Sequence, residues 1–192
     1  MRVVNAFTSP VDVLIDGQLA IASLAVGAID TALASSGGHT VAIRQTGSAV
    51  LVSQSVSAGL STVAVVRSAG GALSSAVLDD TNSVVPAGAT KVRVLHLAPN
   101  AGTIQVYRTQ PDYQTPISWQ FPFTYQSEFN SSSAPFYQST VGTWDVRAWQ
   151  SPADASGWAH PSVKVLIPLS SGEKKTVIIL DAPGGGIRVE LL

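Results

Sequence analysis

Residues 2–17 read RVVNAFTSPVDVLIDG, and the fold is decided by how this stretch is read. Val11, Val13 and Ile15 alternate with Asp12, Leu14 and Asp16, the period of a half-buried strand. The run ends at Asp16-Gly17, a two-residue hairpin signal. A short apolar run, Arg2-Val3-Val4-Asn5, precedes it, and Pro10 separates the two. The stretch therefore predicts two strands joined by a tight loop, followed at once by a hairpin.

The same pattern returns at residues 91–107, KVRVLHLAPNAGTIQVY. Arg2-Val3-Val4-Asn5 matches Arg93-Val94-Leu95-His96, and Val11-Asp12-Val13 matches Ile104-Gln105-Val106. Downstream, His39-Thr40-Val41 matches Trp144-Asp145-Val146, and Val50-Leu51-Val52 matches Val163-Lys164-Val165. The segment from Thr62-Val63 through Gly70-Gly71 to Val77-Leu78 matches Thr176-Val177 through Gly184-Gly185 to Leu191-Leu192 without a gap. The offset grows along the chain, so the second copy carries insertions, at 107–142 and 150–161. Self-similarity at this length implies a duplicated module. The boundaries read as one copy over 1–83, a linker over 84–89 containing Pro86-Ala87-Gly88, and a second copy over 90–192.

Each copy reads as β. His39 to Arg44 alternates, as does Ile187 to Leu191, while Val63 to Val66 and Val177 to Leu180 are continuous apolar runs, the mark of central strands covered on both faces. Leu19 to Ala34 is Ala-rich and could be helical by propensity, but its counterpart holds Pro116, Pro122 and Pro135, so strand and loop are expected. Short strands with frequent turn signals give an all-β fold: two tandem immunoglobulin-like antiparallel β-sandwich domains.

The stretches "RVVNAFTSPVDVLIDG" and "KVRVLHLAPNAGTIQVY", followed by "GGHTVAIR" and "GTWDVRAW", resemble the repeat of the bacterial domain-of-unknown-function family 4397. That repeat opens Val-Arg-Val-Val-His-Ala-Ser-Pro, continues with a Val-Asp-Val-Tyr strand and later has Gly-Thr-Tyr before another strand. The resemblance covers nearly the whole chain, twice. It implies tandem immunoglobulin-like modules in exported bacterial proteins and no family-wide activity. The first copy departs from it with Asn5 where the family has His, and the 107–142 region is longer and more aromatic than the pattern. A periplasmic adaptor of alginate acetylation is similar in two-module layout, with a weaker motif match.

Composition narrows the functions. Apolar content of 45% suffices for packed cores, whereas charged residues make up 12%, about half the usual share. Net charge is −1, without the basic excess of a nucleic-acid binder. The chain has no cysteine, which removes disulfides, thiolate metal sites and cysteine nucleophiles. The longest apolar stretch, Leu19 to Ile29, is too short for a membrane helix, so no membrane insertion is expected. Met1 runs straight into Arg2-Val3-Val4, so a secreted or surface location implies a leader peptide not present in this chain.

No catalytic set is legible. The histidines are His39, His96 and His160, without metal-ligand spacing. His39 aligns with Trp144, which predicts packing at a strand start. His96 aligns with Asn5, and both are read as polar groups that bond loop backbone and pin a turn. Asp12, Asp16, Asp79 and Asp80 are read as loop carboxylates with turn and edge roles; calcium would need several such oxygens to converge. No cofactor, no metal and no enzymatic activity are expected.

The distinctive feature is asymmetry. Phe7 is the one aromatic among the first 90 residues, and twelve of the thirteen follow it. Tyr107, Tyr113, Trp119, Phe121, Phe123, Tyr125, Phe129, Phe136 and Tyr137 crowd one segment with almost no charge, and Trp158 stands in the other insertion. Part of this set is expected in the core. The rest, with Tyr113, Trp119, Phe121, Phe123, Tyr125 and Trp158 as candidates, predicts a binding patch. A weakly charged surface with strands at both termini predicts a structural, self-associating extracellular protein, a homo-oligomer or filament joined through this patch and edge strands. A carbohydrate-binding or adhesion module, with polysaccharide as partner, is the second reading. An enzyme is the least supported.

Overall fold

The computed structural model describes residues 1–32, 36–57, 61–68, 70–80, 84–111, 117–118, 136–150 and 162–192. Their regular elements are all strands, and the chain divides into two compact units, Met1–Asn82 and Ser83–Leu192.

The first unit contains β1 (Arg2–Asn5), β2 (Val11–Ile15), β3 (Gln18–Leu24), β4 (Ile29–Thr31), β5 (Gly38–Gln45), β6 (Val52–Ser57), β7 (Ser61–Arg67) and β8 (Leu73–Asp79). They form two four-stranded sheets, ordered β4-β1-β7-β8 and β3-β2-β5-β6. The hairpin signal at Asp16-Gly17 closes β2 on β3: both residues have positive φ, 50° and 80°, and Ile15 faces Gln18. Two successive left-handed residues twist a hairpin the way its strands already twist, and this is why the loop ends in glycine. One apolar cluster unites the sheets. Val3, Val63 and Val65 from one meet Val11, Val13, Ile21, Val41, Ile43 and Val56 from the other. The unit is β-sandwich-like, and burial of each such side chain is worth about 1.5–3 kcal/mol.

The second unit contains β9 (Ala89–His96), β10 (Ile104–Thr109), β11 (Ile117–Ser118), β12 (Tyr137–Thr140), β13 (Gly142–Gln150), β14 (Val163–Leu169), β15 (Lys174–Asp181) and β16 (Ile187–Leu191). Its sheets run β12-β9-β15-β16 and β11-β10-β13-β14. Each position holds the strand eight places later than in the first unit. Its core joins Val94, Val177 and Ile179 to Ile104, Val106, Trp144, Val146 and Ile167.

Three features differ from the sequence expectation. The sheets are not wholly antiparallel: β1 runs parallel to β7, and β9 parallel to β15. Alternation reports which face a residue occupies, not which way its neighbour runs. The connectivity also departs from an immunoglobulin constant module, since eight strands divide four and four and the first lies inside a sheet. β1 is consequently not a terminal edge, being flanked by β4 and β7, whereas β16 is an edge. Finally, Ala89, assigned to the linker by sequence, is the first residue of β9.

The register also corrects one match. Ile43 faces Val52 and Ala148 faces Val163, with Val11–Gln45 and Ile104–Gln150 aligning the partner strands, so Val163 corresponds to Val52 rather than Val50. The same register sets His39 opposite Val56 and Trp144 opposite Ile167, equivalent places.

Trp144 is 6% exposed within its cluster and donates its indole N–H to the Thr140 carbonyl at 3.1 Å. Trp144→Ala is expected to cost about 3–5 kcal/mol, read as a lower denaturation midpoint for the second unit. An unchanged midpoint would remove Trp144 from the core.

Candidate functional site

The loop after the first strand of each unit is organised by one buried polar side chain. Asn5 ends β1; its Oδ1 accepts the Phe7 N–H at 3.0 Å, and its Nδ2 donates to the carbonyls of Ser9 (3.0 Å) and Leu24 (2.9 Å). His96 ends β9; its Nδ1 accepts the Ala98 N–H at 3.3 Å, and its Nε2 lies 2.6 Å from the Gly102 carbonyl. An acceptor role at Nδ1 and a carbonyl at Nε2 assign the neutral tautomer protonated on Nε2. Burial pushes the His96 pKa below its ordinary value, against the opposing pull of the Gly102 carbonyl and the Asp181 charge. Both residues act as the sequence suggests, in service of the loop.

Asp12 does not act as a loop carboxylate. It lies on β2, buried, where Oδ1 accepts from the Ser23 N–H and the Thr46 hydroxyl, each at 3.0 Å, and Oδ2 from Arg44 Nε at 3.0 Å. The Ser23 bond is the largest of the influences that lower its pKa, with Arg44 and Thr46 adding to it against the cost of burial. Asp80 is buried too and accepts from the Thr62 hydroxyl at 2.8 Å. A carboxylate already saturated by donors has little left for calcium, which asks for several converging oxygens. Strand alternation hid this, because an outward position normally meets water.

Asp16 differs. From its turn it reaches β5, where Oδ2 lies 2.6 Å from His39 Nδ1 and Oδ1 accepts the Thr40 N–H at 2.9 Å. The His39 contact is the largest cause lowering the Asp16 pKa, with the Thr40 bond next. His39 is therefore partnered to a carboxylate rather than serving as a core aromatic, a departure from its match with Trp144. Around the pair opens a cleft of about 290 Å³, lined also by Gly38, Thr40, Ser55, Val56 and Ser57. Asp, His and Ser together suggest a hydrolytic relay, but the pleat separates them. His39 faces Val56 across the strands on the core side, whereas Thr40–Ser55 and Gly38–Ser57 are the pairs of the opposite face. The arrangement can orient an imidazole and hold a proton. Among the described residues, the serines that line the cleft, Ser55 and Ser57, stand on the other face from that imidazole. Sequence reading missed the pair because Asp16 and His39 meet only through the β2–β5 pairing.

In the second unit, the face of β10 and β13 turned away from the core cluster gathers further polar and aromatic groups, most of them buried. Tyr107 stacks on Trp149 with centroids 4.6 Å apart and planes 13° from parallel. Asp145 Oδ2 lies 3.5 Å from Arg147 and 3.6 Å from Lys164. Trp149 is 4% exposed, and its indole nitrogen has no hydrogen-bond partner; neither does the Thr109 hydroxyl. Elsewhere in the unit, Phe136 lies beneath the Arg93 guanidinium at 4.5 Å. Tyr113, Trp119, Phe121, Phe123, Tyr125 and Trp158, the binding residues suggested by sequence, lie outside the described residues, as does His160.

Among the described residues no group of three or more His, Asp or Glu could hold a metal ion, and no helix is long and apolar enough to cross a membrane. In comparisons with known proteins, a family model described as a domain of unknown function, DUF4397, matches residues 1–107. No curated protein matches the chain.

The His96 geometry has a pH signature. Its folded pKa lies below the unfolded value of about 6.5, so the unfolded chain binds the extra proton first. The stability it contributes is complete above that value and declines as pH falls below it. Wild-type protein is expected to lose stability between about pH 7 and 5, and His96→Asn to show a flatter profile in denaturant melts. His96→Ala is expected to cost about 1–3 kcal/mol even at pH 8, by orphaning the Ala98 N–H and the Gly102 carbonyl. Parallel profiles for wild type and His96→Asn would contradict the neutral-histidine assignment.

Proposed function

The chain belongs to the DUF4397 family, and from that membership we propose that it is a non-catalytic structural protein of the bacterial cell exterior, built as two copies of one immunoglobulin-like sandwich module and associating with further copies of itself. The likeness to immunoglobulin modules is in the packing of two sheets, not in the strand connectivity. Support for the duplication comes from the shared strand order and from Asn5 and His96, which hold the equivalent loop in the same way.

The observation that carries the structural reading is where the reactive side chains are used. His96, Asp12 and Asp80 are each committed to backbone or neighbouring side chains inside their own unit. What remains outward is weakly charged, rich in Ser, Thr, Ala and Gly, and such surfaces resist association poorly. Light scattering and electron microscopy of the purified chain are expected to find particles larger than one copy, growing with concentration. A single-chain particle at every concentration would overturn the reading.

A second reading rests on the Tyr107–Trp149 stack, whose buried indole N–H has no hydrogen-bond partner and whose strand partner is Gln105. Aromatic faces beside hydrogen-bonding groups suit sugar rings, and this reading makes the protein a carbohydrate-binding or adhesion module, or an adaptor in polysaccharide modification. Titration with a neutral and an acidic polysaccharide, followed by tryptophan fluorescence in wild type and Trp149→Phe, separates the two readings. Saturable quenching lost in the variant favours glycan binding.

A further inference from the structure

Among the described residues the four sheets present eight edge strands, and a folded protein must blunt such edges to avoid unwanted pairing. Seven carry a recognisable defence. β4, β11 and β12 are short, with three, two and four residues. β3 is irregular: its register on β2 shifts twice, and Ser23 sits at φ 49°. β14 carries Lys164 and Pro168, and β16 carries Arg188 and Glu190. β8 ends in Asp79.

β6 carries none of these. It is six residues of Val, Ser and Gln, VSQSVS, paired with β5 without a register shift. No charged residue and no proline occurs anywhere between Arg44 and Arg67. Val50 and Leu51 lead into it at 70% and 49% exposure. Gln54 donates its side-chain N–H to the Ser75 carbonyl on β8 at 3.1 Å, which braces the strand from the sandwich side.

We infer that β6 is the self-association edge of this protein, pairing antiparallel with β6 of a second copy about a twofold axis through Gln54. The inference rests on the self-associating reading above and names its surface. The occupant is argued from the strand's own symmetry. Val52, Gln54 and Val56 lie on the core-facing side, opposite Ile43, Val41 and His39, while Ser53, Ser55 and Ser57 face outward. Pairing centred on Gln54 sets Val52 against Val56 and Ser53 against Ser55 of the other copy. Core-side residues meet core-side residues and serines meet serines, with no charge opposed. A one-residue slip would place apolar against solvent-facing positions and break that match. The product is a continuous eight-stranded sheet with a two-sided symmetric interface, the isologous arrangement of most dimers.

The test uses the full chain and the exposed serines. Wild type, Ser53→Lys/Ser55→Lys and Ser53→Glu/Ser55→Glu are compared by sedimentation velocity over a concentration series, with circular dichroism and denaturation midpoints as the check on folding. Wild type is expected to associate. Each charged variant should fold normally and associate about tenfold or more weakly, because like charges then face each other across the strands. An equimolar mixture of the two variants should recover association at low salt. If wild type and both variants assemble equally, β6 is not the edge although self-association stands. If the variants fold as single chains and their mixture does not recover, antiparallel pairing between copies is overturned. If wild type never exceeds one chain, this inference and the reading beneath it both fall.

Discussion

The parallel pairing of the first strand with the seventh is the constraint on which each unit depends. β1 sits between β4 and β7, and Val3, Val4, Val63, Ala64 and Val65 are essentially without exposure. The second unit repeats this with β9 and β15, where Val94, Leu95, Val177, Ile178 and Ile179 are equally enclosed. Parallel strands are characteristically covered on both faces, so they read as continuous rather than alternating apolar runs. Enclosure then dictates what happens at the strand end. The chain must leave a dry interior and cross to the other sheet, and the backbone groups of that crossing need partners. Asn5 and His96 provide them. The polar residue at the end of each first strand follows from burying that strand.

Much of this was legible in the sequence, for a physical reason. The period-2 alternation of Val11 to Ile15, the Asp16-Gly17 turn and the apolar runs at Val63 and Val177 are local signals, and they correspond to β2, its hairpin, β7 and β15. The pairing of Asn5 with His96 as loop-holding residues was also readable, because both precede a loop opened by a short apolar strand. What was not legible depends on partners distant in sequence. Strand direction leaves no trace in alternation, so the parallel junction was missed. The outward position of Asp12 looks solvated until Ser23, Arg44 and Thr46 are brought beside it. The shift of Val50 to Val52 shows how low-complexity Val and Ser runs blur register by a full pleat.

The candidate site was less legible than the fold. Aromatic crowding drew attention to Tyr113, Trp119 and their neighbours, whereas the described structure draws attention to Trp149 with Tyr107, and to Asp16 with His39. Neither pair is adjacent in sequence. Tyr107 and Trp149 meet across β10 and β13 on a diagonal, and Asp16 reaches His39 from a turn. Where the first unit has an imidazole bound to a carboxylate, the second has an indole in the core, so one register position serves electrostatics in one unit and packing in the other.

The parallel junction also governs the order in which the unit can be assembled. Hairpins such as β2–β3 and β5–β6 join residues close in sequence and can form as soon as they are synthesised. Arg2 meets Thr62, however, across nearly the whole unit, and contacts of such separation close slowly because the loop entropy is lost before any burial compensates it. Until β7 arrives, β1 has one neighbour and the β3-β2-β5-β6 sheet has only half of its partner sheet to pack against. During that interval the uncharged β6 is exposed along both its edge and its apolar face. The nascent first unit is therefore the stage at which chains are most prone to pair wrongly.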